Sequence, residues 1–466
     1  MHVLLVIPPR PRLTILPAPD IGVAYVAQAA RQAGVVVEVL DAHLEGFDTE
    51  QTIQAITRRR PDVVGFKCLT MDHDEVQRVA RGVKRAHPSS VVVAGGPHPS
   101  ALPDLVLVEG AIDALLIGEG EPGIQALLNC LKAGTSMARL LAAEPRVPGL
   151  VCRRDGEILR TPPGLVEDLD GLGFPAWDLF PLARYPVLPG SGGRFLPVLT
   201  SRGCPCSCRF CASPRLHGRV LRWRSIEGVI AEIRWLVDRF ELQTVSIFDD
   251  NFAANPDHAI RFCRAFRAAR LPVPFDVPQG LRLDTLSDAV ADELAMAGCR
   301  LIGLGLESGV QKSLDRMGKG LRVDQIEARV RRVKQRTGIP LNGFFILGFP
   351  HETIRDVWQT IRFALRLPLD YAAFTLFTPF PGTPIFDDMV AAGYFHPHQL
   401  PWSNLVLDRP VFAHPKISQI TLKRLQTLAY LLFYLHPRRW RFFHRIFWQE
   451  ASFLSYARRF LSIAGC

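Results

Sequence analysis

What most limits the possible folds is a rhythm that runs through most of the 466 residues: short β-branched apolar runs alternate with stretches of helical periodicity. The early runs are Val3–Ile7, Val35–Leu40, Val63–Phe66, Val91–Ala94 and Ala114–Ile117, with helical patterns between them, notably Ile21–Ala33 and Asp74–Ala86. Strands spaced by whole helices cannot close hairpins, so they pair in parallel and bury both faces. This alternation predicts an α/β fold, a doubly wound parallel Rossmann-like sheet. Ligands of such sheets bind beyond the carboxyl ends of the strands. Two glycine-rich turns fall there, Gly95-Gly96-Pro97-His98 and Gly118-Glu119-Gly120-Glu121.

Gly149–Arg160 then reads as a hairpin around Asp155-Gly156, a favoured two-residue turn. Pro162 to Pro189 is rich in proline and glycine and reads as a linker. From Phe195 the rhythm resumes, with strands expected near Leu196–Thr200, Thr244–Phe248, Phe275–Val277, Leu301–Leu306, Leu341–Leu347 and Ala373–Phe377. Six β/α units in a row predict a partial barrel with its chemistry at the carboxyl strand ends. The expected division is 1–140 for the first domain, 141–190 for hairpin and linker, 191–400 for the partial barrel and 401–466 for a C-terminal helical segment.

The cysteines carry the chemistry. Cys204, Cys206, Cys208 and Cys211 fall within eight residues, in Thr200-Ser-Arg-Gly-Cys204-Pro-Cys-Ser-Cys208-Arg-Phe-Cys211, while the other six are scattered among apolar neighbours. Clustered thiols in a cytosolic setting argue for metal or catalysis rather than a disulfide framework. Thiolates at C-x3-C-x2-C can hold three irons of a 4Fe-4S cluster and leave the fourth open. A closed zinc site wants four ligands, and a ferredoxin-type cluster four cysteines. This segment resembles the signature of radical S-adenosylmethionine (SAM) enzymes, whose open iron chelates SAM. The resemblance implies Cys204, Cys208 and Cys211 as ligands. Cys206 stands where the family usually has an aromatic or aliphatic residue, and reads either as a rival of Cys204 or as a thiol beside the cluster.

Later strand ends extend the resemblance. Asp249-Asp250-Asn251 stands where the family receives the SAM amino group. Glu307-Ser308 stands at its ribose position and Gly348 where its backbone meets adenine. Acids after strands also cap helices, which alone would account for Asp249 or Asp250. The first domain resembles the cobalamin-binding domain of one large subfamily, through Ile21-Gly22, Val37–Asp41, Gly95-Gly96-Pro97-His98 and Gly118-Glu119-Gly120-Glu121, with Phe174–Asp178 as a familiar linker. This implies Gly95, Gly96, Gly118, Glu119 and Gly120 as cobalamin-binding positions. Asp41-Ala-His43-Leu-Glu-Gly46 has the D-x-H-x-x-G spacing that elsewhere supplies a histidine ligand to cobalt. There it follows the first strand and here the second, so His43 reads as a loop residue. His98 reads similarly, as a loop histidine holding its turn.

Charge is uneven. The net charge is +10, and the last 46 residues hold eight cations against the single carboxylate Glu450. A nucleic-acid protein would spread its basic surface around the site, so no nucleic acid is expected. Trp440, Phe443 and Phe447 share one helical face, and Arg438, Arg441 and Arg445 another. This pattern suits either an interfacial membrane helix or a helical cap on the barrel. No run of eighteen uncharged apolar residues occurs, as a spanning helix would need, and Val3–Ile7 runs into Pro8-Pro9-Arg10-Pro11 rather than a signal cleavage pattern. The expected location is cytoplasmic, with peripheral contact at the inner membrane face as the membrane reading of the tail.

The resemblance implies a cobalamin-dependent radical SAM methyltransferase acting on an unactivated carbon. In that family a reduced cluster splits SAM, a 5′-deoxyadenosyl radical takes a substrate hydrogen, and methylcobalamin supplies the methyl group. The implied partners are a small-molecule or lipid-like substrate and an external electron donor of flavodoxin or ferredoxin type. The alternatives are an oxidative cyclase or rearrangement enzyme of a tetrapyrrole or lipid pathway, a tRNA methylthiolase, and a non-catalytic cobalamin binder. A methylthiolase would want extra N-terminal cluster cysteines and a C-terminal β-barrel. Because only one triplet has the C-x3-C-x2-C spacing, Cys204→Ser, Cys208→Ser and Cys211→Ser should each lose iron on anaerobic reconstitution, while Cys206→Ser keeps it. Iron retained by Cys204→Ser and lost by Cys206→Ser would reverse the ligand assignment.

Overall fold

The computed structural model describes residues 1–10, 17–108, 110–135, 137, 146–154, 156–187 and 193–439. The chain forms two compact units that are not linear in sequence. One comprises Met1–Pro186, Cys211–Arg222 and Phe380–Leu405, the other Val187–Phe210, Trp223–Pro379 and Val406–Cys466.

The first unit is built on strands β1 (His2–Ile7), β2 (Val36–Asp41), β3 (Val63–Lys67), β4 (Val91–Gly95), β5 (Ala114–Leu116), β6 (Leu150–Arg154) and β7 (Glu157–Arg160). They lie in the order β2-β1-β3-β4-β5-β6-β7. The first five pair in parallel, with Leu4 opposite Val64 in β1 and β3. The expected hairpin is present, though Asp155 in its turn lies outside the described residues. The hairpin also joins the sheet, with β6 running antiparallel along β5. Helices form where local chemistry starts them. Asp20 caps helix Ile21–Gln32 through the Val23 N–H, and Asp48 with Gln51 makes a reciprocal capping box on helix Thr49–Arg59. Helix His73–Ala86 buries Val76, Val79, Ala80 and Val83, one helical stripe, in a core with Leu4, Val6, Val64 and Phe66. The strand order reverses between β1 and β3, which opens a crevice at their carboxyl ends.

The second unit holds β8 (Phe195–Val198), β9 (Thr244–Ile247), β10 (Phe275–Leu281), β11 (Cys299–Glu307), β12 (Leu341–Leu347) and β13 (Tyr371–Leu376). These six strands are parallel and pair in sequence order, and β8 and β13 do not pair with each other. This is the open barrel-type sheet expected from the rhythm.

The free edge of β13 would present unpaired backbone groups. Helix Gln419–Tyr434 covers it with side chains. The Tyr434 hydroxyl accepts from the Ala372 N–H at 3.2 Å and donates to its carbonyl at 3.0 Å. The Tyr430 hydroxyl accepts from the Phe374 N–H at 3.1 Å, and the Gln426 amide donates to the Phe374 carbonyl at 2.8 Å. One turn on, the Leu407 carbonyl takes the Leu376 N–H at 2.8 Å. Polar side chains thus stand where a seventh strand would.

The two readings of the C-terminal segment divide here. Leu422, Leu425, Ala429 and Phe433 are buried against the barrel, so up to Arg439 the segment is a cap. Arg439 is itself buried, with its guanidinium 3.7 Å from the Phe433 ring and donating to the carbonyls of Leu367, Leu369 and Phe433. That cation is therefore not available to a lipid surface. The face of Trp440, Phe443 and Phe447, with Arg441 and Arg445, lies outside the described residues, as does the side chain of Arg438. Among the described residues no helix is long and apolar enough to cross a membrane.

Removing the Tyr434 hydroxyl strands the Ala372 amide at a covered edge. Tyr434→Phe should therefore lower the unfolding free energy by about 1–3 kcal/mol, read as a lower urea midpoint at unchanged slope. An unmoved midpoint would show that the hydroxyl is not what satisfies the edge.

Candidate functional site

In the second unit the cysteine segment leaves the carboxyl end of β8, and a buried carboxylate on the next strand aims it. Asp249, just beyond β9, accepts the Thr200 N–H at 2.7 Å, the Ser201 hydroxyl at 2.7 Å and the Thr200 hydroxyl. Burial pushes its pKa from 3.8 up to about 6, against the pull of those donors. Arg224 grips the same stretch, donating to the Leu199 carbonyl at 3.1 Å and, through its N–H, to Thr200 O at 2.9 Å, while pairing with buried Glu232. Both sides of the exit from β8 are therefore tied.

The four clustered cysteines are half-buried and form no disulfide. Cys204 hydrogen-bonds Cys206, which pushes the Cys204 thiol up and draws Cys206 down to about 7. The loop is held from below by the turn after helix Gln311–Arg316, where the Arg209 N–H donates to the Met317 carbonyl at 2.9 Å. The Arg282 guanidinium donates to Cys208 Sγ at 3.5 Å. Among the described residues no three His, Cys, Asp or Glu side chains stand together as a ready-made ion site. The fit to an iron–sulfur cluster therefore lies in the donor set: three accessible thiols at the right spacing, with a cation beside one of them.

The other predicted residues of this unit are placed unequally. Asp250 is half-buried, and its charge is among those acting on Cys204. Asn251 is buried, takes a 3.4 Å bond from the Thr285 hydroxyl on Oδ1, and has no partner for Nδ2 among the described residues. An orphaned buried amide costs stability and suits a donor kept for a ligand. Glu307 ends β11 with φ of +63°, and its Oε1 accepts from buried Lys319 at 2.8 Å. The glycines before it are required by close approach. A Cβ on Gly303 would meet the Pro278 carbonyl at 2.4 Å, where β10 shifts register. Ser308 is fully buried, 3.0 Å from the Thr360 hydroxyl and accepting the Val310 N–H. Gly348 donates to Glu352 Oε2 at 3.0 Å, as does Phe349. Glu352 is fully buried and pushed to about 7. Asp249 and Ser308 are thus spent inward on the scaffold. Asn251 presents an open donor.

In the first unit Gly95 ends β4, and its carbonyl takes the Cys68 N–H at 2.8 Å. Gly96 has φ of +108°, and a Cβ there would meet the Cys68 carbonyl at 3.0 Å, so the turn excludes side chains. Ser100 links the two glycine turns, its hydroxyl donating to Gly96 O at 2.8 Å and accepting the Gly118 N–H at 2.9 Å. Gly120 opens helix Gly120–Lys132. Glu119 between them is a buried hub: it takes both Arg222 Nη atoms at 2.8 Å, His217 Nδ1 at 3.0 Å and the Val166 N–H at 2.7 Å. The side chain expected at cobalamin serves the scaffold here.

His98, expected as a loop histidine holding its turn, lies in a helix instead. It is fully buried in the short helix Pro97–Ala101, its ring 4.7 Å from that of His73 and 4.8 Å from that of Trp402. Neither ring nitrogen has a hydrogen-bond partner among the described residues, and burial holds its pKa at about 3. A side-chain-free glycine cradle beside a neutral imidazole fits a large planar cofactor such as cobalamin. Asp41, in contrast, has structural employment: it accepts the Leu44 N–H at 2.9 Å and the Tyr185 hydroxyl at 2.7 Å. Sequence reasoning passed over Ser100, Arg282, Lys319, Glu352 and Trp402. Only Lys319, in a Gly-Lys-Gly turn, carried a local signal.

Comparison with known proteins agrees with this division. Residues 16–128 match the B12 binding domain family and residues 198–364 the Radical SAM superfamily. The chain is 31% identical over 444 residues to a protein of Pyrococcus horikoshii named as an uncharacterised methyltransferase, covering 94% of this chain and 93% of that one. It is 28% identical to the anaerobic magnesium-protoporphyrin IX monomethyl ester cyclase of Rubrivivax gelatinosus, over 80% of this chain and 66% of the cyclase. The fold resembles the radical SAM methyltransferase TsrM of Kitasatospora setae, solved with cobalamin and a [4Fe-4S] cluster. The TM-score is 0.67 at 21% identity, covering 84% of this chain and 75% of that one.

The raised pKa of Asp249 sets a sign. Its folded pKa of about 6 exceeds the ordinary 3.8, so its share of stability is full below pH 4 and lost as the pH rises through 6. Asp249→Asn keeps an acceptor for the Thr200 N–H and should flatten that part of the profile, by about 3 kcal/mol at most. Urea unfolding at stepped pH reads this, and a profile identical to the wild type would clear Asp249 of the effect.

Proposed function

The chain belongs to the family that joins a B12-binding domain to a radical SAM domain, with a 4Fe-4S cluster, SAM and cobalamin as its cofactors, and from that premise we propose that it is a methyltransferase acting on an unactivated carbon of a small molecule. The carrying observation is the intact cysteine triad at the end of β8 in the same chain as the glycine cradle of the B12-binding domain. What favours methyl transfer is the near end-to-end match to the relative named as a methyltransferase. The shorter match to the cyclase makes oxidative ring closure the second reading.

When bound, cluster and SAM supply one-electron hydrogen abstraction, and cobalamin supplies the methyl group. The chain's own residues have distinct tasks in this reading. Cys204, Cys208 and Cys211 hold the cluster, with Cys206 beside it. Asp250 accepts from the SAM amino group, the open Nδ2 of Asn251 donates to a SAM oxygen, Glu307 accepts from the ribose hydroxyls, and the Gly348 turn meets the adenine. Asp249 and Ser308 position these groups rather than touch ligand. Gly95, Gly96, Gly118 and Gly120 let cobalamin approach the backbone, with Glu119 fixing their turn. An external donor of flavodoxin or ferredoxin type supplies the electron. A lipid-like substrate is the finer form of the proposal, with anionic lipid contact confined to residues beyond Arg439.

Protein reconstituted with iron, sulfide and hydroxocobalamin, reduced with dithionite and given methyl-labelled SAM, tests the reading. We expect 5′-deoxyadenosine together with label on cobalamin, and loss of 5′-deoxyadenosine in Cys208→Ser. 5′-Deoxyadenosine without label on cobalamin would overturn methyl transfer and favour the cyclase reading.

A further inference from the structure

Arg282 directly follows β10, and two arms of its guanidinium are already clamped. Nε and Nη2 donate to the two carboxylate oxygens of Asp284 at 3.0 and 2.7 Å, and Nη2 also donates to the Lys319 carbonyl at 2.7 Å. The remaining arm, Nη1, donates to Cys208 Sγ at 3.5 Å. A guanidinium is a rigid planar fork that stays charged at any working pH. With two arms fixed, the third cannot be re-aimed, and its side chain is only 12% exposed. Nothing in the hydrogen abstraction itself requires this residue.

We propose that Arg282 sets the reduction potential of the cluster by donating a charge-assisted hydrogen bond to the sulfur of Cys208. This rests on the cluster reading above. One electron from the external low-potential donor takes the cluster from its oxidised to its reduced form, with no bond broken and no proton moved. The added negative charge spreads onto the sulfurs, and a cationic donor stabilises the more negative state more. Arg282 therefore eases reduction. Asp284 opposes it, because its carboxylate lies against the same guanidinium and offsets part of its field. Lys319, the other nearby cation, has its ammonium 2.8 Å from Glu307, which compensates it. Arg282 is a positioning and tuning residue: it acts through Cys208.

The test uses the full chain, reconstituted anaerobically, with iron and sulfide counted before a dithionite titration followed by EPR. At a fixed applied potential, Arg282→Gln should lower the ratio of reduced to oxidised cluster about tenfold, a downward shift of about 59 mV for one electron. Arg282→Lys keeps the charge without the fork and should fall between. Asp284→Asn should shift the ratio upward. A role confined to folding would move cluster content and leave the potential where it was. Potentials equal to the wild type in the loaded variants overturn the proposal. If Arg282→Gln cannot be loaded, Arg282→Lys and Asp284→Asn decide by the same criterion. Wild-type protein that takes up no iron at all is a separate result, and it would overturn the cluster reading together with this one.

Discussion

The buried carboxylate of Asp249 governs the site in the second unit. A parallel sheet leaves its strand ends open, and a loop departing from one of them has no ladder to direct it. Asp249 supplies the direction by taking the Thr200 amide and the hydroxyls of Thr200 and Ser201. The three residues that follow reach Cys204, so the start of the cysteine loop is set by this one acceptor. Burying a carboxyl is costly, as its raised pKa records, and the cost is tolerated because three donors offset it. The Arg224–Glu232 pair secures the other side of the same exit.

The first unit solves a similar problem with a neutral group. The glycines of its two turns carry no side chains of their own to hold them in place. The Ser100 hydroxyl bridges them, holding the Gly96 carbonyl and the Gly118 amide together. Glu119 anchors the second turn through Arg222, His217 and Val166. In both units an acid that reads as a ligand-binding residue turns out to brace the loop. Asn251 and His98, in contrast, are each left with an unmet polar atom among the described residues.

Much of this was legible in advance. The five parallel strands of the first sheet and the six of the second lie where β-branched runs alternate with helical periodicity, with ends off by no more than two residues except β10, which runs on to Leu281 past the expected Val277. The cysteine spacing pointed to the cluster, and the glycine turns to strands β4 and β5. Three things were not legible. The hairpin of β6 and β7 extends the first sheet, which no local pattern requires. Helix Gln419–Tyr434 covers the edge of β13 with Tyr430, Tyr434 and Gln426, residues that on a helical wheel look like ordinary polar positions. Arg439 reads as part of a basic tail and is buried under Phe433 and three carbonyls.

By itself, the sequence determined the order and type of the elements and the choice of candidate metal donors. Those depend on short-range causes: periodicity, turn chemistry, and the spacing of thiols along eight residues. The tertiary structure alone decided which polar side chains keep an unmet atom and which are consumed by the scaffold. Asp249, Ser308 and Glu119 look as available as Asn251 in the chain. Each has partners 47 to 103 residues away, and a hydrogen bond over that separation exists only once the sheets have brought the strand ends together.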